Sequence, residues 1–263
     1  MSSLSIPSLV RIESARKISM KSGLRLDSEI QRRGLTFSRS QAENYIRLDK
    51  VKVNGKVISK PGYFVSVDTK IELILDNQYV SRAGMKLASV ADILKLNFTD
   101  KIVLDVGSST GGFTDYVLQH GASKVIAVDV GTNQLSPQLI GNPKIDLHEK
   151  TDIRDFIPSE IPDIILIDVS FISVKKILPH LFEQASDEKT QFVVMLKPQF
   201  EASKEQINKG VIKNDSIRRN ILKDFELWTK DLFKIIAKQD SAVSGSKGNQ
   251  ERFYLLQKTT SRR

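Results

Sequence analysis

The hydrophobic and polar positions beyond residue 100 alternate between short apolar runs and longer segments of helical character. Strands that alternate with helices favour an α/β domain, in which an open, largely parallel sheet is covered by helices on both faces. No internal repeat accompanies this pattern. The predicted strands are Ile102 to Val106, Val125 to Val130, Ile164 to Val169, Phe192 to Leu196 and Phe253 to Leu256, with a weaker one over Lys144 to His148.

In the first third of the chain the helical and strand patterns are shorter, and turn residues are more frequent. Capping residues precede two short helical patterns, and an Asn-Gly pair between valines is a strong hairpin signal. The predicted elements are a helix capped by Asp27 that runs to Arg33 and ends at Gly34, a helix capped by Ser38 over Arg39 to Leu48, a hairpin at Asn54-Gly55, and two small strands containing Val65, Val67 and Ile71, Leu73, Leu75.

The positive charge is concentrated in this first third. Residues 1–82 carry 15 Lys and Arg against 8 Asp and Glu, a net of +7 out of the total +9, which leaves +2 for the remaining 181 residues. A polyanion such as RNA is the natural partner of such a segment, because cations set against phosphates release condensed counterions. A solvated basic face without a partner is the alternative.

Composition excludes several other classes of protein. With 40% hydrophobic and 27% charged residues the chain is predicted to be globular. The absence of cysteine excludes disulfides, thiolate metal sites and cysteine nucleophiles, and three scattered histidines make a metal site improbable. The apolar runs are too short for a membrane span, so no membrane association is expected. Residues 1–23 are predicted to be a disordered basic tail, with a transit peptide as the alternative.

Two helices followed by a hairpin, with basic side chains throughout, resemble the alpha-L RNA-binding domain found in a small-subunit ribosomal protein and in pseudouridine synthases. The resemblance rests on the stretches from Arg25-Leu26-Asp27, through Arg39-Ser40-Gln41-Ala42, to Val51-Lys52-Val53-Asn54-Gly55. It implies that positive side chains position RNA by its phosphates without reading its sequence. The candidate RNA-binding residues are Arg25, Arg32, Arg33, Arg39, Arg47, Lys50, Lys52 and Lys56.

A glycine-rich loop follows the first strand of the α/β domain. Ligands of open α/β sheets bind at the carboxyl ends of strands, and glycines let the backbone approach them. The spacing differs from G-x-G-x-x-G, which argues against NAD or FAD. Asp129, after the second strand, can accept the hydroxyls of a nucleoside ribose, and Asp152 can accept an adenine amino group or cap a helix. The loop residues assigned to the cofactor are Asp105, Gly107, Ser108, Ser109, Thr110, Gly111, Gly112 and Phe113.

Six stretches together resemble the TlyA family of ribosomal RNA methyltransferases, first catalogued as haemolysins and related to the FtsJ/RrmJ methyltransferases. They are Val80 to Leu87, Leu104 to Thr114, Ala127 to Gly131, Asp168 to Ser173, Leu196 to Glu201 and Gly248 to Glu251. The resemblance implies a Rossmann-like class I methyltransferase fold, S-adenosylmethionine as cofactor, ribosomal RNA or ribosomal subunits as partner and a cytoplasmic location. The predicted organisation is a tail over 1–23, an alpha-L domain over 24–78, a linker over 79–85 and a methyltransferase domain over 86–263.

The same resemblance implies a catalytic tetrad at Lys86, Asp168, Lys197 and Glu251, with Asp168 also beside the cofactor. A ribose hydroxyl is a weak nucleophile, so it needs a positioned base as it attacks a methyl group in line. Lys197 is the candidate base, because burial and the positive charges of Lys86 and a sulfonium favour a neutral amine. Asp168 is expected to orient Lys197, and Lys86 and Glu251 to hold the ribose.

The sequence leaves alternative functions open and departs from the pattern of the TlyA family at a few positions. Methylation of a base amino group is disfavoured, because Asp168-Val169-Ser170-Phe171 lacks the two prolines of amino-methylating enzymes. A membrane-acting haemolysin and a non-catalytic ribosome-assembly factor are the competing functions. The resemblance suggests cytidine in small-subunit and large-subunit RNA, while no residue reveals the nucleotide or the oligomeric state. Ala83 replaces a usual glycine, the Lys209-Gly210-Val211 loop is slightly short, and the tail over 1–23 is extra.

Overall fold

The computed structural model describes residues 23–36, 38–47, 49–74, 79–245 and 247–259. The tail predicted over 1–23 therefore lies outside the described residues except for Gly23. The described chain folds into a small N-terminal α+β domain followed by a larger α/β domain. This agrees with the short helices and strands predicted for the first third of the chain and with the alternating strands and helices predicted beyond residue 100.

The N-terminal domain packs two helices on small antiparallel strands. One sheet has the order β3-β2-β5, and β1 pairs with β4. A compact apolar cluster that includes Leu26, Ile30, Tyr45 and Ile46 joins the helices to the sheet. The elements are β1 (Leu24–Arg25), α1 (Leu26–Arg32), α2 (Arg39–Arg47), β2 (Val51–Val53), β3 (Lys56–Val57), β4 (Phe64–Val65) and β5 (Ile71–Leu73).

The two predicted helix caps have different outcomes. Ser38 is confirmed as a cap, since its Oγ accepts a hydrogen bond from the backbone N–H of Gln41 at 3.1 Å. The cap at Asp27 is wrong, because α1 already begins at Leu26 and Asp27 is buried in its first turn. Burial favours pairing over capping, and Asp27 pairs with Arg25 at 2.7 Å and with Arg39 at 3.1 Å. The Asp27 carboxylate thus ties α2 to α1.

The larger domain is built on a seven-stranded sheet of order β11-β12-β10-β9-β6-β7-β8. Strands β6 to β10 run parallel, and β12 is antiparallel to both of its neighbours. The elements are α3 (Arg82–Ala91), β6 (Ile102–Val106), α4 (Gly112–Gln119), β7 (Lys124–Val128), β8 (Ile145–His148), β9 (Ile164–Ile167), α5 (Leu178–Gln184), β10 (Gln191–Leu196), α6 (Pro198–Glu201), α7 (Asp215–Trp228), β11 (Phe233–Asp240) and β12 (Arg252–Lys258).

The six predicted strands are confirmed with shifts of a few residues at their ends, whereas β11 was not predicted. This edge strand carries Lys234 and Lys238 on exposed positions and bulges between Ile235 and Ala237, so its alternation is interrupted. The segment 79–85, expected as a linker, includes the first turn of α3, and Tyr79 and Val80 are buried.

Alternate side chains of the central strands enter two apolar cores, one on each face of the sheet. Leu104 and Val106 of β6 belong to the core under α5 and α7, while Val103 belongs to the core under α3 and α4. Burial on both faces explains why these strands are apolar throughout. Among the described residues, no helix is long and apolar enough to cross a membrane, and no group of three or more His, Cys, Asp or Glu side chains is placed to hold a metal ion.

Candidate active site

Four charged side chains meet at the carboxyl edge of the sheet because of strand register. Asp168 directly follows β9 and Lys197 directly follows β10, and these strands are parallel neighbours. Strand β12 runs the opposite way and pairs Arg252 with Leu196. The residue before β12, Glu251, is therefore delivered to the same edge.

The four side chains form two ion pairs. The Lys197 Nζ atom lies 2.5 Å from Asp168 Oδ1, and the Lys86 Nζ atom lies 2.5 Å from Glu251 Oε2. All four side chains are largely buried and line one cavity of about 530 Å³. The expected convergence is thus observed, with Lys197 paired to Asp168 rather than to Glu251.

Close packing of two glycines holds the helix that carries Lys86. The Ser81 Oγ atom accepts from the backbone N–H of Ala83 and caps α3. A Cβ atom at Gly84 would lie 2.9 Å from the carbonyl oxygen of Gly112, and one at Gly112 would collide with Ser81 Oγ. Only glycine lets the N-terminal turns of α3 and α4 approach this closely, which directs Lys86 toward Glu251.

The loop after β6 folds back against Asp168. Gly107 has φ of +84°, and a Cβ atom there would lie 2.7 Å from the Asp168 carbonyl oxygen. Both the left-handed conformation and the close approach require glycine at this position. The turn brings the side chains of the glycine-rich loop next to the charged cluster.

Asp105 is a fully buried carboxylate with one free oxygen. Its Oδ2 atom accepts hydrogen bonds from the Thr114 backbone N–H and hydroxyl at 3.0 and 2.6 Å. Its Oδ1 atom, like Ser108 Oγ, has no hydrogen-bond partner among the described residues. Burial, together with the negative charges of Asp168 and Asp129, raises the pKa of Asp105 to about 7. Unpaired buried polar atoms are costly, so these two point to a ligand that satisfies them.

Asp129 and Asp152 lie along a second cavity of about 590 Å³. Asp129 accepts from the backbone N–H groups of Ser109 and Gly131 at 2.9 and 2.6 Å, which fixes its orientation. Asp152 caps a short 3₁₀ turn and pairs with Arg154, whose hydrogen bonds lower the pKa of Asp152 to about 2. The capping alternative for Asp152 is therefore observed, and its side chain also reaches the cavity wall.

The two cavities share a boundary. Six residues line both of them, namely Asn44, Gly107, Ser109, Asp168, Ser170 and Phe171. A small molecule in the second cavity and a larger substrate entering the first would therefore meet beside Asp168. This arrangement suits the transfer of a group from one bound molecule to another.

The predicted loop residues divide into two groups. Asp105, Gly107, Ser108, Ser109, Thr110 and Phe113 line the first cavity. Gly111 and Gly112 are not among the described residues that line either cavity, because they pack against Leu139 and Ser81 instead. These two glycines let the loop pack closely against Leu139 and Ser81.

Sequence reasoning assigned no role to several residues that line the site, and Ser170 and Asn44 are two of them. Ser170 accepts a hydrogen bond from Lys197 Nζ at 2.9 Å, and its place two residues after Asp168 was a usable signal. Asn44 belongs to α2 of the N-terminal domain and lines both cavities. Its contribution depends on how the domains dock, so local sequence gave no indication of it.

The candidate RNA-binding residues differ in what they contact. Lys50 is only 4% exposed, so its assignment to an exposed basic surface is corrected. Arg33 donates to Glu29 and to the carbonyl oxygens of Val67 and Thr69, and so holds the fold together. The side chain of Arg47 is 67% exposed, and Lys56 is exposed on the hairpin.

The remaining candidates combine both roles. Arg25 and Arg39 pair with the buried Asp27, and Arg32 pairs with the buried Glu29, although all three keep much of their side chains exposed. Lys52 is half-buried on β2 opposite Glu72. Of the eight candidates, Arg47 and Lys56 therefore offer the charges most accessible to a polyanion.

Two family models match the chain. Residues 24–71 match the S4 domain, and residues 79–258 match the FtsJ-like methyltransferase. The second match begins at Tyr79 and covers more than half of the chain, including all four charged residues at the sheet edge.

Similar proteins agree with the family models. Hemolysin A of Brachyspira hyodysenteriae is 38% identical over 87% of this chain and 97% of its own length. The 16S/23S rRNA (cytidine-2′-O)-methyltransferase TlyA of Mycobacterium tuberculosis is 34% identical over 90% of this chain and 91% of its own length. A solved structure described as a hemolysin from Streptococcus thermophilus is 37% identical, with a TM-score of 0.70 over 91% of this chain and 90% of that one. With its sheet order, its paired charges and these matches, the chain belongs to the FtsJ-like methyltransferase family.

Proposed function

We propose that this protein transfers a methyl group from S-adenosylmethionine to a ribose 2′-hydroxyl, on a cytidine, in ribosomal RNA. The observation that carries the proposal is the Lys197–Asp168 ion pair at the boundary of two cavities. The relatives named as (cytidine-2′-O)-methyltransferases supply the substrate class. One of these names includes both 16S and 23S RNA and the other only 23S, so either subunit is a candidate substrate.

The residues of the second cavity fit an adenosine moiety. Asp129 keeps unused lone pairs on oriented carboxylate oxygens, which suits a ribose diol. Asp152 suits the adenine amino group, with Ile153 and Val130 as apolar walls. The free Asp105 Oδ1 and Ser108 Oγ atoms, at the other side of the shared boundary, suit the polar groups of the methionine moiety.

The tetrad suits proton removal from a hydroxyl. S-adenosylmethionine supplies an electrophilic methyl group on a sulfonium, and the acceptor oxygen must lose its proton as the new O–CH₃ bond forms. Lys197 acts as the neutral amine: its N–H groups donate to Asp168 and Ser170, which fixes its direction, and its lone pair accepts the hydroxyl proton to give the ammonium that pairs with Asp168. The Lys86–Glu251 pair provides a donor and an acceptor that orient the ribose hydroxyls on the other side of the cavity.

The N-terminal domain supplies the RNA affinity in this proposal. Its accessible cations, Arg47 and Lys56, can contact phosphates without reading bases. The match to the S4 domain and the net charge of +7 in residues 1–82 support this assignment.

Transfer of labelled methyl groups to purified ribosomal subunits tests the proposal. The wild-type chain is expected to label RNA, and digestion to nucleosides followed by mass spectrometry is expected to yield 2′-O-methylcytidine. Lys197→Ala removes the base and is expected to lower the transfer rate at least about 100-fold. Lys176→Ala, which changes an exposed lysine of the same domain, is the matched control and is expected to keep wild-type activity.

Three outcomes would contradict the proposal. A methyl group on a base would refute ribose methylation, and full activity of Lys197→Ala would refute the assigned base. Lysis of erythrocytes by the purified chain without cofactor, in the absence of any transfer, would favour the membrane-acting function that the name of one relative suggests.

A further inference from the structure

Helix α2 of the N-terminal domain has two polar faces with different surroundings. Its outer face carries Arg39, Glu43 and Arg47, spaced four residues apart and partly exposed. Its inner face turns toward the methyltransferase domain and carries Gln41, Asn44 and Tyr45. A single helix therefore touches solvent on one side and the α/β domain on the other.

The inner face is bonded to the segment after β7. Ser38 Oγ donates to the carbonyl oxygen of Asn133 at 2.6 Å, and the fully buried Gln41 donates through Nε2 to the carbonyl oxygen of Leu135 at 2.8 Å. The Tyr45 hydroxyl lies 3.3 Å from Ser136 Oγ, and both residues are almost fully buried. Hydrogen bonds between buried partners fix this docking, since breaking one leaves an unsatisfied polar group.

The segment that receives α2 also supports the cofactor loop. The Ser136 backbone N–H donates to the carbonyl oxygen of Thr110 at 3.1 Å. Ser109 Oγ donates to Gln134 Oε1 at 2.9 Å, and the Ser109 backbone N–H donates to Asp129. Asn44 Nδ2 approaches Ser109 Oγ from the other domain at 3.5 Å and lines both cavities. The position of Ser109 is thus set jointly by the two domains.

We propose that Asn44 is a positioning residue of the methyl-donor site, so that the docked α2 helix sets the affinity for the donor even without RNA. The inference rests on the proposed function and adds to it a role for the N-terminal domain inside the cofactor site. Asn44 acts through Ser109, which in turn presents its backbone N–H to Asp129. Helix α2 also carries Arg39 and Arg47 on its outer face, so the same helix lies beside both the proposed RNA surface and the proposed donor site.

Equilibrium titration of the full-length chain with S-adenosylmethionine, without RNA, tests the inference. Asn44→Ala is expected to raise the Kd of the donor about 3- to 10-fold, the loss typical of one hydrogen bond. In turnover assays its KM for the donor is expected to rise by the same factor, with kcat within about twofold of wild type. Glu43→Gln, on the outer face of the same helix, is the matched control and is expected to leave donor affinity unchanged.

A double substitution separates this role from a general loss of structure. If Asn44 acts through Ser109, then Asn44→Ala combined with Ser109→Ala is expected to bind the donor no more weakly than Ser109→Ala alone. Purely additive losses, or an unchanged Kd for Asn44→Ala, would overturn the inference. Should Asn44→Ala fold poorly by circular dichroism, Asn44→Asp, which keeps the volume and removes the donor group, is tested in its place with the same expected rise in Kd.

The wild-type titration distinguishes the two proposals. A wild-type chain that binds S-adenosylmethionine while Asn44→Ala and Asn44→Asp bind it equally well refutes only the positioning role. A wild-type chain that does not bind the donor refutes the proposed function, and the positioning role falls with it.

Discussion

The two domains each bury carboxylates, but they treat them in opposite ways. In the N-terminal domain, Asp27 and Glu29 are surrounded by arginines. Hydrogen bonds from Arg32 and Arg33 lower the pKa of Glu29 to about 2, and those from Arg25 and Arg39 outweigh burial to hold the pKa of Asp27 well below its usual range. In the methyltransferase domain, no arginine among the described residues pairs with Asp105, and burial raises its pKa to about 7.

The buried carboxylates of the N-terminal domain stabilise a small fold through ion pairs. The buried carboxylate of the methyltransferase domain keeps an oxygen that can bind a ligand. A domain of about fifty residues has a small apolar core, so each paired carboxylate contributes a large share of its stability. The larger domain has two apolar cores and can tolerate an unsatisfied carboxylate beside its cofactor loop. Sites of function commonly carry such locally unfavourable groups.

The largest expected contrast is in the pH dependence of stability. Glu29 has a lowered pKa, so its contribution is complete above its ordinary value of 4.5 and is lost as the pH falls toward 2. Asp105 has a raised pKa, so the folded methyltransferase domain loses stability as the pH rises from about 4 to 7. The Asp105 effect is on the order of 3 kcal/mol, and the Glu29 effect is about 2 kcal/mol, because the side chain of its partner Arg32 is 57% exposed.

Hydrogen exchange followed by mass spectrometry, with peptides from both domains, measures the two trends separately. The N-terminal peptides are expected to lose protection below pH 4, and those of β6 and α4 to lose it between about pH 4 and 7. If protection changed with pH in the same way in both domains, the proposed difference between their buried carboxylates would be wrong.

Next in size is the effect of Asp105→Asn. The amide keeps an oxygen for Thr114 and removes the free carboxylate oxygen, so we expect donor affinity to fall roughly 10- to 100-fold, as for the loss of a charge-assisted hydrogen bond. Stability at pH 8 is expected to rise, because no charge is then buried without a partner. Calorimetric titration and thermal unfolding measure both quantities on one sample, and a stability loss would show that Asp105 serves the fold instead.

The corresponding substitution of a buried carboxylate in the N-terminal domain is Glu29→Gln. It is expected to lower the free energy of unfolding of that domain by about 2 kcal/mol, less than for a fully buried pair, because the side chain of Arg32 is 57% exposed. Glu43→Gln, whose contacts with Arg39 and Arg47 are 3.7 and 3.9 Å and exposed, is the control and is expected to cost under about 1 kcal/mol. Urea unfolding of the full chain gives both values, and equal losses for the two variants would contradict the role of Glu29.

The smallest expected effects are those of the accessible cations on RNA binding. Arg47→Ala and Lys56→Ala are each expected to reduce the slope of log K against log salt for ribosomal RNA by about 1, with stability unchanged. Lys234→Ala, an exposed lysine on the edge strand β11, is the control and is expected to leave the slope as it is. If Lys234→Ala lowers the slope as much, binding is a property of net charge and not of the N-terminal domain.

Local features of the chain predicted a large part of this molecule. The strand boundaries, the Ser38 cap, the Asn54-Gly55 turn and the loop after β6 follow from side-chain period and turn chemistry over a few residues. The resemblance placed the four charged residues in recognisable stretches of sequence. It also implied that Asp168 orients Lys197, and the observed ion pair agrees with that expectation, whereas the direct Lys86–Glu251 ion pair was not predicted.

Only the tertiary structure decided the Lys86–Glu251 pairing and the domain junction. Strand β12 had to run antiparallel to β10 before Glu251 could meet Lys86, and α2 had to dock before Asn44 could reach Ser109. The same packing buried Lys50 and turned Asp27 from a predicted cap into an ion-pair partner. The physical reason is the sequence distance between the interacting residues. Turns and the periodicity of side chains depend on residues that are near in sequence, whereas burial and charge pairing depend on distant residues that the fold brings together.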